Sequence, residues 1–393
     1  ATSARNEDTT PAVRLRLVCQ DLGPTFIKFG QILSTRPDLI PPDVANELKN
    51  LQDNIPPFSF VHVKEQIESE LGKPLSELFE TFEEAPLGTA SIGQVHAARL
   101  KDPTVGSVED VVVKIQRPQI RGTIESDIDL MRLLAKSLEK RVKQLKTLDL
   151  TGILQEFELA IIKELDYSHE RRNGTRFYAA FTGNPDVVIP RVYRSHSAKK
   201  VLTMQRIKGV KISDAETVGA DRRVLARVAL RAVLQMVFQN GFFHADPHPG
   251  NIFALAGNRV AFLDLGMVGR LSDEMRLHLS DLFIALMQRD TDEIARILCV
   301  MGIRQGRVNR ASLQRDVIDI MDKVIGVPLE EIQFSEIVKD LMESARRHQI
   351  KIPNEYTLMG KALLTVEGVG KNLDPTIDVE AEITPYIRGL IKD

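Results

Sequence analysis

The chain has 393 residues, with 52 Lys plus Arg against 54 Asp plus Glu, for a net charge of −2. That length allows one large two-lobed domain or two ordinary ones, and the balanced charge excludes a basic footprint for nucleic acid. The two cysteines, Cys19 and Cys299, argue against a disulfide framework or zinc cluster and fit a reducing, intracellular compartment. No apolar run approaches the roughly 18 residues of a membrane span, and the polar start lacks the apolar core of a secretory leader.

Residues 1–55 read as helical, with punctuation at Pro41-Pro42 and Asn54-Ile-Pro-Pro57. Within them Asp21-Leu-Gly-Pro-Thr-Phe-Ile-Lys-Phe-Gly-Gln31 puts Phe26, Phe29, Gly30 and Leu33 on one helical face and Lys28, Gln31 and Thr35 on another. The pattern then predicts a helix over Phe60–Leu71 closed by Gly72, strands over 78–83 and 92–100, and a β-branched strand at Val111–Ile115 after turn-rich residues 101–109. Long helical patterns cover Ile120–Lys146 and Thr151–Phe181, the second with Leu154, Phe157, Ile161 and Leu165 on one face. Short strands at Val187–Ile189 and Lys200–Met204 follow. Beyond Gly209 the pattern is almost wholly helical, which divides the chain into 1–55, 56–205 and 206–393. There is no internal repeat and no low-complexity tract.

The densest chemical signal is His244-Ala-Asp-Pro-His-Pro-Gly-Asn251 followed by Asp264-Leu-Gly266. An Asp, an Asn five positions on and a second Asp on its own tripeptide is the layout of a protein-kinase catalytic centre. Asn251-Ile-Phe-Ala and Arg259-Val-Ala-Phe-Leu263 read as strands around a turn at Gly257-Asn258. Such a hairpin would bring Asn251 and Asp264 to one end, where both could ligate Mg²⁺ beside Asp246.

Upstream, Gly88-Thr-Ala-Ser-Ile-Gly-Gln-Val95 fits the kinase glycine loop with Ala90 at its central glycine. Gly88, Thr89, Ala90, Ser91, Gly93 and Val95 are therefore candidate nucleotide contacts, although the loop in isolation is a weak signal that an ordinary strand–turn would also give. The Ala90 methyl limits backbone approach to phosphates and predicts altered nucleotide selectivity or slowed transfer. Lys114 lies in the apolar run Val-Val-Val-Lys-Ile, where a lysine is costly unless paired or bound to phosphate. Its partner is expected on the helix Thr151–Phe181, which carries Glu164, Asp166 and Glu170. Asp166 and Glu170 would share a face and Glu164 would turn away, making Glu170 the Lys114 partner and leaving Glu164 and Asp166 for metal or Lys28. Charged residues on a helix are more often a solvated face, so this assignment leans on the motifs around it.

His244 and His248 flank Asp246, and a His-x-Asp-x-His metal set is one reading. The other is that His244 packs beneath the loop and orders it, which is preferred; His248 stays open. The same frame occurs in small-molecule kinases of the aminoglycoside and choline type. No Ala-Pro-Glu follows Asp264, and Gly266 leads almost directly into a helix at Ser272–Gln288, which leaves little room for a peptide platform.

Taken together the chain resembles the UbiB-type atypical kinase-like family, associated with coenzyme Q and other isoprenoid-quinone metabolism. The resemblance rests on Lys28-Phe-Gly-Gln31 as the family's K-x-G-Q, Gly88–Val95 as its alanine-rich loop, Glu164-Leu-Asp166 as its E-x-D, and the two catalytic motifs in order. It implies an α+β, bilobal protein-kinase-like fold with an N-terminal helical extension covering the active site and a mostly helical C-lobe. It implies that Lys28 and Gln31 lie on that extension with a regulatory role shared by Glu164 and Asp166. Lys114 would bind nucleotide phosphates, Asp246 would be the catalytic-loop acid, Asn251 and Asp264 the metal ligands, and Met204 the gatekeeper before the hinge. The loop here is less alanine-rich than the family's usual version, which bears on its expected ADP preference. The implied cofactors are ATP or ADP with Mg²⁺, Mn²⁺ being an acceptable substitute.

The expected function is a Mg²⁺-dependent ATPase serving quinone or lipid metabolism, with a small-molecule or lipid kinase and a nucleotide-binding pseudokinase scaffold as alternatives. Expected partners are nucleotide and membrane lipid or quinone-pathway proteins, with no nucleic acid. In Met131–Lys146, Met131, Leu134, Leu138, Val142 and Leu145 form an apolar stripe and six of sixteen residues are basic. Such a helix can lie on anionic lipid, or the stripe can pack on the lobe, which is the commoner outcome. The expected location is peripheral or anchored at a membrane, on the bacterial cytoplasmic face or an organelle membrane.

Overall fold

The computed structural model describes residues 10–34, 40–51, 56–101, 108–141, 150–306, 308–323 and 334–391. The readings made at Thr35, at Asn54-Ile55, at 102–107 and at Val142–Lys146 lie outside the described residues. The chain forms two compact units, residues 1–172 with 191–206 and residues 173–190 with 207–393. Residues 173–190, read from sequence as part of the first lobe, group with the second unit.

In the first unit, α1 (Pro11–Leu22) starts where Thr10 Oγ1 accepts the Val13 N–H at 3.3 Å and proline takes the first helical position. α2 (Pro24–Ser34) and α3 (Pro42–Leu48) pack with it, and Phe29 of α2 meets Phe157 edge to face at 5.1 Å. α4 (Phe60–Leu71) ends where Gly72 turns left-handed at φ 69°. After α5 (Leu75–Leu78) come β1 (Thr81–Thr89), β2 (Gly93–Lys101) and β3 (Val108–Gln116). α6 (Ile120–Arg141), α7 (Leu150–Glu164) and α8 (Tyr167–Phe181) follow, α8 passing into the second unit at Asn173, then β4 (Val187–Val188) of the second unit and β5 (Val201–Gln205) of the first. The first unit's sheet is antiparallel in the order β1-β2-β3-β5.

Two expectations are corrected here. The strand expected at 78–83 starts at Thr81 and runs through Gly88-Thr89, while Leu78 ends α5. Its register shifts on both sides of Pro86, so this bulged edge strand lacks the alternation that would mark it. The single helix expected over Thr151–Phe181 breaks at Leu165-Asp166. There the Leu165 carbonyl accepts Gln116 Nε2 at 2.7 Å, and Asp166 Oδ1 accepts the Ser168 N–H at 2.9 Å to open α8. Apolar periodicity passes straight through the break.

The expected stripe on α6 divides. Met131 is buried with Ala135 and Leu154 beside Phe26 and Phe29, whereas Leu134 and Leu138 are exposed, as are Leu130 and Leu133. Among the described residues no helix is long and apolar enough to cross a membrane.

The second unit continues with β6 (Val210–Lys211), a 3₁₀ stretch and α9 (Arg222–Leu234), which Asp221 caps. α9 runs into a π-turn over Gln235–Gln239, closed by the Asn240 N–H on the Gln235 carbonyl at 3.0 Å. β7 (Phe242–His244), β8 (Ile252–Leu255), β9 (Arg259–Phe262) and β10 (Val268–Arg270) surround the His244–Asn251 and Asp264–Gly266 motifs. β10 pairs with β7, so a short strand stands where sequence led directly from Gly266 into a helix. α10 (Asp273–Gln288), α11 (Thr291–Met301), β11 (Ile303–Arg304), α12 (Arg310–Asp322), α13 (Phe334–Arg347), β12 (Ile350–Lys351), α14 (Asn354–Leu373) and α15 (Val379–Ile391) complete it. One apolar core including Leu230, Phe238, Phe242, Phe262, Phe283 and Met359 ties the helices to the β8–β9 hairpin. α14 packs on α9 and β10, which brings it beside the strand paired with β7.

Candidate active site

In the first unit, β3 carries Lys114 between Val95 on β2 and Leu202 on β5. Its Nζ donates to Glu170 Oε2 at 2.9 Å and sits 5.2 Å from the centre of the Tyr167 ring. Glu170 is 8% exposed and lies in the first turn of α8. The break between α7 and α8 sends Glu164 and Glu170 to different partners. Glu164, at the end of α7, takes Lys28 Nζ at 2.5 Å. Gln31 Nε2 donates to the Leu51 carbonyl at 3.2 Å. Asp166 does not share a helical face with Glu170 as expected, because it precedes α8. Burial pushes its carboxyl up, but the Ser168 hydrogen bonds and the nearby His169 and Lys199 outweigh this and hold it below the usual carboxylate range.

Gly88 and Thr89 end β1, Gly93 and Val95 open β2, and Ala90–Ile92 turn between them. The Ala90 N–H donates to the Gly93 carbonyl at 2.8 Å, so the tip is a closed hairpin with Ser91 buried. A side chain at Gly93 would meet the Ile115 carbonyl at 2.5 Å and the Tyr167 hydroxyl at 2.7 Å, which is why glycine stands there. At Gly88 the same space is open. Met204 on β5 is half-buried opposite Val112.

In the second unit the β8–β9 hairpin turns through Gly257 and Asn258, at φ 76° and 59°. The Leu263 N–H then donates to the Asn251 carbonyl at 2.8 Å, setting Asp264 next to Asn251 at one end of the hairpin. His244 Nδ1 accepts the Asp246 N–H at 3.0 Å, so Nε2 carries the proton it gives to the Leu263 carbonyl at 3.1 Å. With both ring nitrogens engaged and no exposure, His244 orders the loop and is not a metal ligand. Asn251 Nδ2 donates to the Asp246 carbonyl at 3.2 Å, which leaves its oxygen free to face a cation. Asp246 Oδ1 lies 2.9 Å from Lys361 Nζ, and Oδ2 lies 4.0 Å from His248 Nε2. Among the described residues no cluster of three His, Cys, Asp or Glu could hold a metal. An Asn–Asp pair suits Mg²⁺, which takes few protein ligands and completes its shell with phosphate oxygens and water.

Residues 50–298 match the family described as the ABC1 atypical kinase-like domain, and residues 317–378 match the UbiB helical domain. The chain is 37% identical to "Probable protein kinase UbiB" of Pseudomonas aeruginosa strain PAO1 over 99% of this chain and 73% of the relative. It is 36% identical to the protein of that name from Aeromonas hydrophila, over 95% and 69%. The chain belongs to the ABC1/UbiB atypical kinase-like family. A solved structure titled as the complex of Rv3197 with erythromycin, from Mycobacterium tuberculosis, superposes with a TM-score of 0.60 at 23% identity, covering 94% of each chain. The fold is accordingly protein-kinase-like, α+β, with the mostly helical second unit described above.

Within this ABC1/UbiB chain, sequence reasoning passed over Lys361, Asn173 and Tyr167. Asn173 Nδ2 donates to the Leu265 carbonyl at 3.0 Å and so braces the Asp264-Leu-Gly266 turn. Tyr167, 1% exposed, forms the floor under Lys114. A lysine in the apolar helical run Met359-Gly-Lys-Ala-Leu-Leu364 was the one local sign of Lys361.

Burial holds the His244 imidazole well below its ordinary 6.5, and the Leu263 carbonyl and the carboxylates of Asp264 and Asp246 oppose this only in part. Below that pH the unfolded chain binds a proton that the folded loop refuses, so stability falls with falling pH, by up to about 1.4 kcal/mol per pH unit. Burial lowers His96 too, so both contribute to the slope. His244→Gln is expected to make the decline of melting temperature below about pH 6.5 shallower. An unchanged slope would mean that the folded protein protonates His244 freely.

Proposed function

We propose that this chain is a Mg²⁺-dependent ATPase of the atypical kinase type that serves isoprenoid-quinone or lipid metabolism at a membrane. The observation that carries the reading is the hairpin that sets Asn251 beside Asp264 while His244 and Asn251 fix the backbone of Asp246. Lys114, oriented by Glu170, would bind the nucleotide phosphates, and the Gly88–Val95 turn and Met204 would be further nucleotide contacts. Asn251 and Asp264 would hold Mg²⁺, and Asp246 would orient or deprotonate the acceptor. Bound Mg²⁺ would neutralise charge developing on the transferred phosphoryl group. The short passage from Gly266 through β10 into α10 favours an acceptor smaller than a peptide, water or a small molecule.

The membrane clause is supported by α6, where exposed Leu130, Leu133, Leu134 and Leu138 stand among Arg132, Lys136, Lys140 and Arg141. The test is phosphate release from Mg-ATP with and without vesicles containing an anionic phospholipid. Turnover that rises with vesicles supports the whole reading. Nucleotide binding without any release would leave a scaffold.

Lys28 is expected to restrain transfer, since a cation near the γ-phosphate competes with acceptor and metal for the same charge. Lys28→Ala should raise autophosphorylation by roughly 10-fold. Glu164→Gln, which removes the carboxylate charge 2.5 Å from the Lys28 ammonium, should not reproduce that gain. Unchanged transfer in Lys28→Ala would remove the restraint from the reading.

A further inference from the structure

We infer that Lys361, on the helical segment beyond the kinase-like core, is a positioning residue for the catalytic-loop acid Asp246. Lys361 lies in α14, within residues 317–378 that match the helical domain rather than the ABC1 domain. Its Nζ is 2.9 Å from Asp246 Oδ1, and the two side chains are 27% and 32% exposed. The exposure is low enough that this pair is not an ordinary solvated ion pair, and the distance is that of a charge-assisted hydrogen bond.

The other contacts of Asp246 show what the lysine adds. Its N–H is fixed by His244, and its carbonyl accepts from Asn251 Nδ2 and from the His248 N–H at 2.9 Å. Those bonds all run within residues 244–251, so they neither anchor the loop to α14 nor set the Asp246 side-chain torsion. Lys361 does both by holding Oδ1, which leaves Oδ2 as the oxygen to meet an acceptor hydroxyl or water. His248 Nε2, at 4.0 Å from Oδ2, is too far to hold it. The helix that carries the lysine is itself held, because Met359 and Ala362 are fully buried and α14 packs on β10. The helical domain thereby reaches the catalytic-loop acid through the Lys361 side chain. Kinetically this is orientation, so its loss should appear in kcat and not in nucleotide binding.

The inference rests on the ATPase reading, and the test separates the two. Phosphate release and nucleotide affinity are measured for wild type, Lys361→Met, Lys361→Arg, Asp246→Asn and the Lys361→Met/Asp246→Asn double variant. Lys361→Met should lower kcat by about 10- to 100-fold, as losing an orienting partner does, with nucleotide Kd unchanged. Lys361→Arg should recover most of the loss, and the double variant should be no slower than Asp246→Asn alone. An unchanged or raised kcat in Lys361→Met, or an equal further loss in the Asp246→Asn background, overturns the inference. Amide exchange over Ala245–Asn251 is measured on the same proteins without turnover. Lys361→Met should speed exchange there about threefold or more while Lys361→Arg leaves it slow; exchange unchanged in Lys361→Met overturns the inference. Wild type that releases no phosphate sinks the ATPase reading and leaves the exchange arm to decide Lys361.

Discussion

Asp264→Asn is expected to lower phosphate release by about 100-fold or more while the protein melts at nearly its original temperature. Asp264 sits at φ 53°, in the left-handed region where asparagine is at home and most side chains are strained. The substitution therefore keeps the backbone conformation while it removes the carboxylate charge. A hard cation such as Mg²⁺ depends on that charge more than on the shape of the ligand. Asp264→Ala is the informative companion, because it loses the charge and also the tolerance for positive φ, so it should melt lower as well. Activity within tenfold of wild type in Asp264→Asn would take Asp264 out of the metal set.

Lys114→Met is expected to weaken nucleotide binding and also to destabilise the first unit, by about 3 kcal/mol. The second effect comes from Glu170, 8% exposed, which would lose the ammonium facing it at 2.9 Å. The lower end of the range for broken buried pairs applies because the Lys114 side chain retains 21% exposure. Lys114→Met/Glu170→Leu should regain most of the stability, since replacing both members of such a pair with apolar groups is often neutral. It should not regain nucleotide affinity. Chemical denaturation and nucleotide titration on the three proteins separate the two roles. Recovery of both in the double variant would mean that Lys114 matters only to folding.

The fold and the second-unit motifs were legible in the sequence because their determinants are local. Gly72 ends α4 at the expected residue, since only glycine takes that left-handed turn cheaply. Gly257-Asn258 sets the β8–β9 hairpin, and the hairpin sets Asn251 against Leu263. What stayed hidden depended on partners distant in the chain. The break after Glu164 is imposed by Gln116 reaching the Leu165 carbonyl from β3, against an apolar periodicity that continues unbroken. The limits of β1 were hidden by Pro86 and its bulges. Lys361 was hidden because a lysine's value depends on what it faces, and only the packing of α14 puts Asp246 within its reach.

The π-turn at Gln235–Gln239 has a consequence for how this chain can change length. A π-turn holds one residue more than the α-helix it ends, so α9 keeps its facing when that residue is removed. Deleting Gln239, the most exposed residue of the five, should close the turn to α geometry and leave Phe242–His244 on their strand. A deletion of one residue in β9 has no such slack: it would exchange the two faces of the strand and carry Phe262 out of the core. The helix leading into the catalytic strand is thus the place where this protein can lose a residue, and the hairpin after it is a place where it cannot.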